Sequence, residues 1–228
     1  IILERLSLYP DIDIIVPKDA LIIGKNIAKK FSGKFLVLDL ERNIVRIIFS
    51  HCIVDIANQT DFLLFEDLKT RDFTINSISF SFDSKQLIDP VNGMRDLKNS
   101  LLKSFRYENL ISDPLRILRC FRFVSELNFN IEPNLLDFIE LNKNKLKTVS
   151  VERIQYELKK IVTGEQAMKA ILYLNKIQIF DYIKSYENNN YKFLLTVNYE
   201  NFTKKEVEKY LPIFYLTELL DIELVKEF

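Results

Sequence analysis

Residues 11–16 read Asp, Ile, Asp, Ile, Ile, Val, alternating at first and then wholly apolar. That pattern predicts a strand with one polar and one apolar face at its start. In residues 19–31, Ala20, Ile23, Ile27 and Phe31 recur at three- and four-residue spacing. This predicts a helix, with Asp19 where an N-cap belongs. Ser32-Gly33 ends it. Residues 35–39, 45–49 and 52–57 are β-branched and apolar, and predict short strands. Residues 74–82 and 86–88 predict a further pair, with Asp83-Ser84 as their turn. Asp89-Pro90 and Asn92-Gly93 are turn dipeptides.

The pattern changes near residue 100. Beyond it the apolar period becomes helical and Gly164 is the only glycine left. Helices are predicted over 113–127, 133–142, 151–162, 165–175 and onward to residue 228, with Asn188-Asn189-Asn190 as a loop. The expected organisation is an α/β domain over 1–100, a helical segment over 101–163 and a further helical segment over 164–228.

Composition narrows the function classes. The 228 residues are 48% hydrophobic and 28% charged, enough apolar material for a sizeable core. Thirty-two basic residues balance 32 acidic ones, which excludes a protein that coats nucleic acid by net charge alone. The basic charge is local: residues 97–124 hold six Lys or Arg against two acids. Two cysteines, Cys52 and Cys120, make no disulfide framework and fit a reducing, cytoplasmic setting. No apolar run approaches the ~18 residues of a membrane span, so no membrane partner is expected. The sequence opens on Ile1-Ile2 without an initiator Met, so it is expected to be a fragment.

Asp11 and Asp13 lie two apart on the first predicted strand, so both carboxylates point to one face. Two hard oxygen ligands suit Mg²⁺, with phosphate and water completing the shell. A solvated strand edge has the same appearance. Asp55, polar within an apolar strand, reads as a third carboxylate of that site or as a turn-facing residue. His51 is the single histidine, and with no Cys spacing it excludes zinc chemistry in practice. Tyr107, Tyr156 and Tyr173 suit either base stacking or packing, and Cys120 suits packing.

Four ordered segments carry a more specific signal. They are Glu66-Asp-Leu-Lys-Thr-Arg-Asp-Phe-Thr-Ile-Asn76; Leu87-Ile-Asp-Pro-Val-Asn-Gly93 with Asp96-Leu97; Asp113-Pro-Leu-Arg-Ile-Leu-Arg-Cys-Phe-Arg-Phe123; and Val149-Ser-Val-Glu-Arg153 with Glu157-Leu158. This set resembles the class II tRNA nucleotidyltransferases and bacterial poly(A) polymerases, within the polymerase-β nucleotidyltransferase superfamily. The resemblance implies a mixed-sheet nucleotidyltransferase head with flanking helices, then an all-α neck and a partial body. It implies that Asp11 and Asp13 hold Mg²⁺ and that Arg71 contacts the triphosphate. Asp72 and Asn76 would sit near the sugar. Asp113 and Arg116 would pair with the incoming base, and Arg119 and Arg122 would complete the nucleotide pocket. Glu152-Arg153 matches a motif whose role is mainly structural. The implied activity adds CMP or AMP from CTP or ATP to the 3′ end of tRNA and releases pyrophosphate. A poly(A) polymerase and a non-catalytic RNA- or nucleotide-binding remnant are the alternatives; DNA is not an expected partner.

The residues themselves fit that picture. Asp113, Arg116, Arg119 and Arg122 recur every third position, a slanting stripe over roughly half the helix circumference. Ile117, Leu118, Phe121 and Val124 form the opposite, buried face. Asp113 suits an N-cap and Pro114 the first helical position. A solvated, salt-bridged face would look the same. Two positions depart from the family pattern: its usual first Arg in the central motif is Thr70, and the acid before Asp113 is Ser112. Its Gly-Gly loop and following Arg-Asp would lie just before Ile1, making residues 1–6 the helix that follows them.

Overall fold

The computed structural model describes residues 11–59 and 64–183. The helix expected over 1–6 and the helices and loop expected beyond 183 lie outside them. The chain divides between Asp67 and Leu68 into two compact units.

The first unit is a mixed four-stranded sheet with a helix on one face. β1 (Asp11–Val16), α1 (Ala20–Lys30), β2 (Lys34–Asp39), β3 (Ile44–Ile48) and β4 (Ile53–Asn58) follow the predicted pattern closely. The strand order is β1-β4-β3-β2. β1 runs parallel to β4, and the other pairs are antiparallel. Val45, Ile47, Val54 and Ile56 are buried against Ala20 and Ala28 of α1. A Cβ on Gly24 would come 2.6 Å from Val45 Cγ2, so glycine permits this close approach. Asp19 occupies the N-cap position, but its backbone is left-handed (φ 65°) and its side chain makes no cap. The carboxamide of Asn58, reaching from β4, caps instead: Ala20 N donates to Asn58 Oδ1 at 2.8 Å.

α2 (Leu64–Lys69) carries the chain into the second unit. The strand expected over 74–82 is only partly formed. Thr74–Ser77 is a 3-10 turn, and only Ser79–Ser81 (β5) pairs with Gln86–Ile88 (β6). The cause is local. The Asp72 carboxylate accepts from Phe73 N and Asn76 Nδ2, curling the backbone at once. Asp89 then accepts from Gly93 N (2.7 Å) and Met94 N (2.9 Å) and opens α3 (Gly93–Lys98).

The remaining elements are β7 (Leu101–Leu102), α4 (Glu108–Ser112), α5 (Leu115–Leu127), β8 (Asn130–Ile131) and α6 (Pro133–Asn142). A 3-10 turn, Lys143–Thr148, leads to α7 (Val151–Thr163), α8 (Ala167–Lys176) and α9 (Phe180–Ile183). Ile117, Leu118, Phe121 and Val124 are fully buried, as their spacing predicts. They pack with Ile154, Leu158 and Ile161 of α7 and Ile171 and Leu174 of α8 in one core. Burying each such side chain is worth roughly 1.5–3 kcal/mol.

Contacts and composition divide the chain at different places. Composition changes near residue 100, yet residues 68–100 pack with the helices after them. Thr74 N donates to Lys103 O at 2.8 Å, and Phe73 is fully buried in the helical core.

Candidate active site

Each unit has a polar cluster of its own. In the first, Asp11 and Asp13 share one face of β1, and both are exposed. Asp13 is in register with Asp55 on β4, which is in register with Arg46 on β3. Asp55 therefore faces no turn. Arg46 grips it with Nε to Oδ1 and Nη2 to Oδ2, both at 2.8 Å. Two exposed carboxylates on one strand face are the hard oxygen donors that a divalent cation takes. No group of three or more His, Cys, Asp or Glu among the described residues could hold an ion alone. Water or substrate oxygens must complete any shell.

In the second unit the central motif meets α5. Asp72 is buried and accepts from Phe73 N (2.9 Å), Asn76 Nδ2 (2.7 Å) and Arg119 Nε (2.7 Å). Burial pushes its pKa up, but Arg119, Asn76 and the Phe73 N–H outweigh burial and hold it below its ordinary value. Asp72, Asn76 and Arg119 are thus brought together.

Arg116 lies on the same side of α5. Its Nη1 donates to Thr70 O (3.0 Å) and Asn109 O (2.9 Å). A guanidinium has five donors, so Nε and Nη2 keep theirs. Arg71 is half-buried in the segment that Arg116 touches.

Two assignments read differently in the structure. Asp113 is not a helix cap: it ends α4, Pro114 takes the N-cap position of α5, and no side chain caps that helix. The extended backbone at Asp113 turns its carboxylate toward α7, where Arg153 Nη2 donates to Oδ1 (3.1 Å) and Oδ2 (2.9 Å). Arg122 is not on the exposed stripe. It is 8% exposed, and its Nη1 donates to the buried Glu157 Oε1 at 3.1 Å. At the far end of α5 the third-residue spacing has rotated the stripe into α7.

The single-residue readings divide likewise. Cys120 is fully buried, and burial drives its thiol far above the ordinary range, so it packs. Tyr107 stacks on Phe138 (4.6 Å between centroids) and Tyr173 packs on the core. Tyr156 is 59% exposed, under Lys160. His51 stacks on Phe49. Sequence reasoning missed Asn109, whose amide donates to Lys69 O and Arg71 O. Nothing in the pattern marks it.

A family model described as the poly A polymerase head domain matches residues 57–103. A second, the probable RNA and SrmB-binding site of polymerase A, matches 128–187. A CC-adding tRNA nucleotidyltransferase from Synechocystis is 36% identical over 171 residues, 75% of this chain and 41% of that protein. The chain belongs to the class II tRNA nucleotidyltransferase and poly(A) polymerase family. A second family member, the CCA-adding enzyme of Staphylococcus aureus strain Newman, is 33% identical over 127 residues, 55% of this chain and 32% of the enzyme. A solved CCA-adding enzyme with CTP superposes with a TM-score of 0.72 at 25% identity, covering 95% of this chain and 51% of that one. The fold is thus the family's mixed-sheet head followed by helices. The chain spans about two-fifths of the length of the Synechocystis relative. The family uses a divalent metal ion, and no described helix is long and apolar enough to cross a membrane.

Proposed function

We propose that this chain forms the catalytic head and nucleotide-selecting neck of a template-independent RNA nucleotidyltransferase. It adds CMP, AMP or both from CTP and ATP to the 3′ end of tRNA, releases pyrophosphate and works in the cytoplasm. The observation that carries this reading is the junction of two motifs in the second unit. Segment 69–72 is tied to α5 through Arg116 and through Asp72–Arg119. Phosphate-binding and base-reading groups thereby share one scaffold.

In this reading Arg71 holds the triphosphate, and Asp72 and Asn76 line the sugar. Asp113 accepts from the exocyclic amine that cytosine and adenine share. A carboxylate has about four acceptor sites, so Arg153 orients Asp113 without exhausting it. Arg116 donates to the adjacent ring nitrogen from Nε or Nη2. Arg119 holds Asp72 in place, and Arg122 braces the same helix from beneath. Asp11 and Asp13 would hold Mg²⁺. When bound, the ion supplies electrostatic stabilisation of the attacking 3′-oxygen and of the leaving pyrophosphate. Positioning and charge compensation account for most of the rate in phosphoryl chemistry.

The test is incorporation of labelled CMP and AMP by the protein in its natural reading frame. Its substrates are tRNAs ending before, within and after the terminal CCA, and an unrelated RNA. Addition confined to incomplete tRNA ends is the expected result. Addition of AMP alone to any RNA makes it a poly(A) polymerase. Nucleotide binding without incorporation overturns the catalytic reading.

A further inference from the structure

Asn109 lies in α4, half-buried, and four hydrogen bonds made by side chains meet on it. Its Nδ2 donates to Lys69 O and to Arg71 O, both at 2.8 Å. Its backbone oxygen accepts from Arg116 Nη1 and from Ser112 Oγ, both at 2.9 Å. The same Arg116 nitrogen donates to Thr70 O at 3.0 Å. Two side chains, Asn109 and Arg116, thus hold the carbonyls of three consecutive residues across 38 to 46 positions of sequence. Lys69 is the last residue of α2 and Thr70 and Arg71 follow it, where the helix no longer supplies donors. An amide NH₂ carries two donors, one for each carbonyl it meets. Alanine supplies none. Aspartate has the same shape but presents oxygen to oxygen.

We propose that Asn109 is a positioning residue for nucleotide binding. It fixes the segment that carries Arg71 to the start of the helix that carries Arg116, so that one nucleotide meets both at once. The inference rests on the proposed function and goes beyond it, because Asn109 itself touches neither phosphate nor base. The Asp72–Arg119 pair ties the same segment to α5 independently. Losing the Asn109 amide therefore loosens the segment without unfolding it. The effect falls on ground-state nucleotide affinity, for CTP and ATP alike, because Arg71 serves the phosphates they share.

The experiment compares wild type, Asn109→Ala, Asn109→Asp and Asn109→Gln in the natural reading frame. It measures incorporation kinetics for both nucleotides and, separately, calorimetric binding of CTP and ATP. Asn109→Ala is expected to raise KM for both by about tenfold, the cost of orphaned polar groups, with kcat within about a factor of two. Asn109→Asp is expected to do at least as much. Asn109→Gln, which keeps the donors, is expected to recover most of the loss. If Asn109→Ala does not fold, Asn109→Asp is read by the same criteria. Unchanged KM and unchanged binding overturn the inference, as does a loss confined to kcat or to one nucleotide. A wild type that neither binds nor incorporates CTP or ATP overturns the functional reading itself, and this inference with it.

Discussion

Asp72 stays charged although almost wholly buried because three donors converge on it, one of them the Arg119 guanidinium. Its pKa is lowered from 3.8, so the pair's contribution is complete above that value and fades as pH falls through the folded-state value below it. Arg119→Ala leaves the carboxylate buried with its charge uncompensated. It should cost about 2 kcal/mol at neutral pH and less in strong acid, read from urea unfolding at several pH values. An equal cost at every pH would refute the charge argument. Asp113 presents the opposite case, a partly exposed carboxylate whose ion pair with Arg153 contributes roughly 0.2–1 kcal/mol and whose carboxylate caps no helix. Asp113→Ala should therefore melt nearly as wild type. In single-turnover assays its preference for CTP and ATP over UTP and GTP should fall about tenfold or more. Intact selectivity would remove Asp113 from base reading. The D-P-L-R run made this residue legible, but its partner was not, because Arg153 lies 40 positions away and only the packing of α7 brings it close.

Elements α5 and α7 meet through both shape and charge. Gly164 follows α7, and a Cβ there would lie 2.2 Å from Ser125 Oγ, which donates to Ile161 O. Beside this contact, Arg122 and Glu157 form an ion pair whose side chains are 10% and 3% exposed. Arg122 Nε and Glu157 Oε2 are buried and make no hydrogen bond, although Nε lies 3.5 Å from the half-exposed Glu126 carboxylate. A buried pair of this kind is costly to break and cheap to replace. Glu157→Ala alone should destabilise by roughly 3–5 kcal/mol, whereas Arg122→Met with Glu157→Leu should come within about 1 kcal/mol of wild type. Denaturation of both singles and the double closes the cycle, and additive losses would refute the pairing. Sequence periodicity found both helices and the buried face of α5. It could not tell that the third-residue stripe ends inside the core, because exposure at Arg122 depends on where α7 lies. Residues 74–82 failed for a related reason: their composition favours a strand, but the Asp72 carboxylate competes for the backbone and curls it.

On the scale of the whole molecule, the chain forms two compact units whose division does not coincide with the change in sequence composition. The change at residue 100 reports a switch from strands to helices, whereas the division at Asp67 reports which residues pack together. The family was legible because its motifs keep their order over most of the chain, and that order needs no contact to be seen. The proposed metal ligands allow a test that separates function from folding. Asp11 and Asp13 are exposed, and Asp13 stands beside Asp55, whose charge Arg46 already balances. Neighbouring parallel strands are about 4.8 Å apart, so Asp13 stands close to the Asp55–Arg46 pair. Asp11→Ala and Asp13→Ala should therefore leave the melting temperature unchanged or slightly higher. Either should cut nucleotide incorporation by at least about fiftyfold, since one carboxylate alone holds the ion poorly and Asp55 is engaged by Arg46. Chelation of divalent ions should abolish incorporation by wild type, with Mg²⁺ restoring it. A variant that loses activity in proportion to lost stability would make these carboxylates structural, and retained activity with both changed would make them ordinary solvated residues.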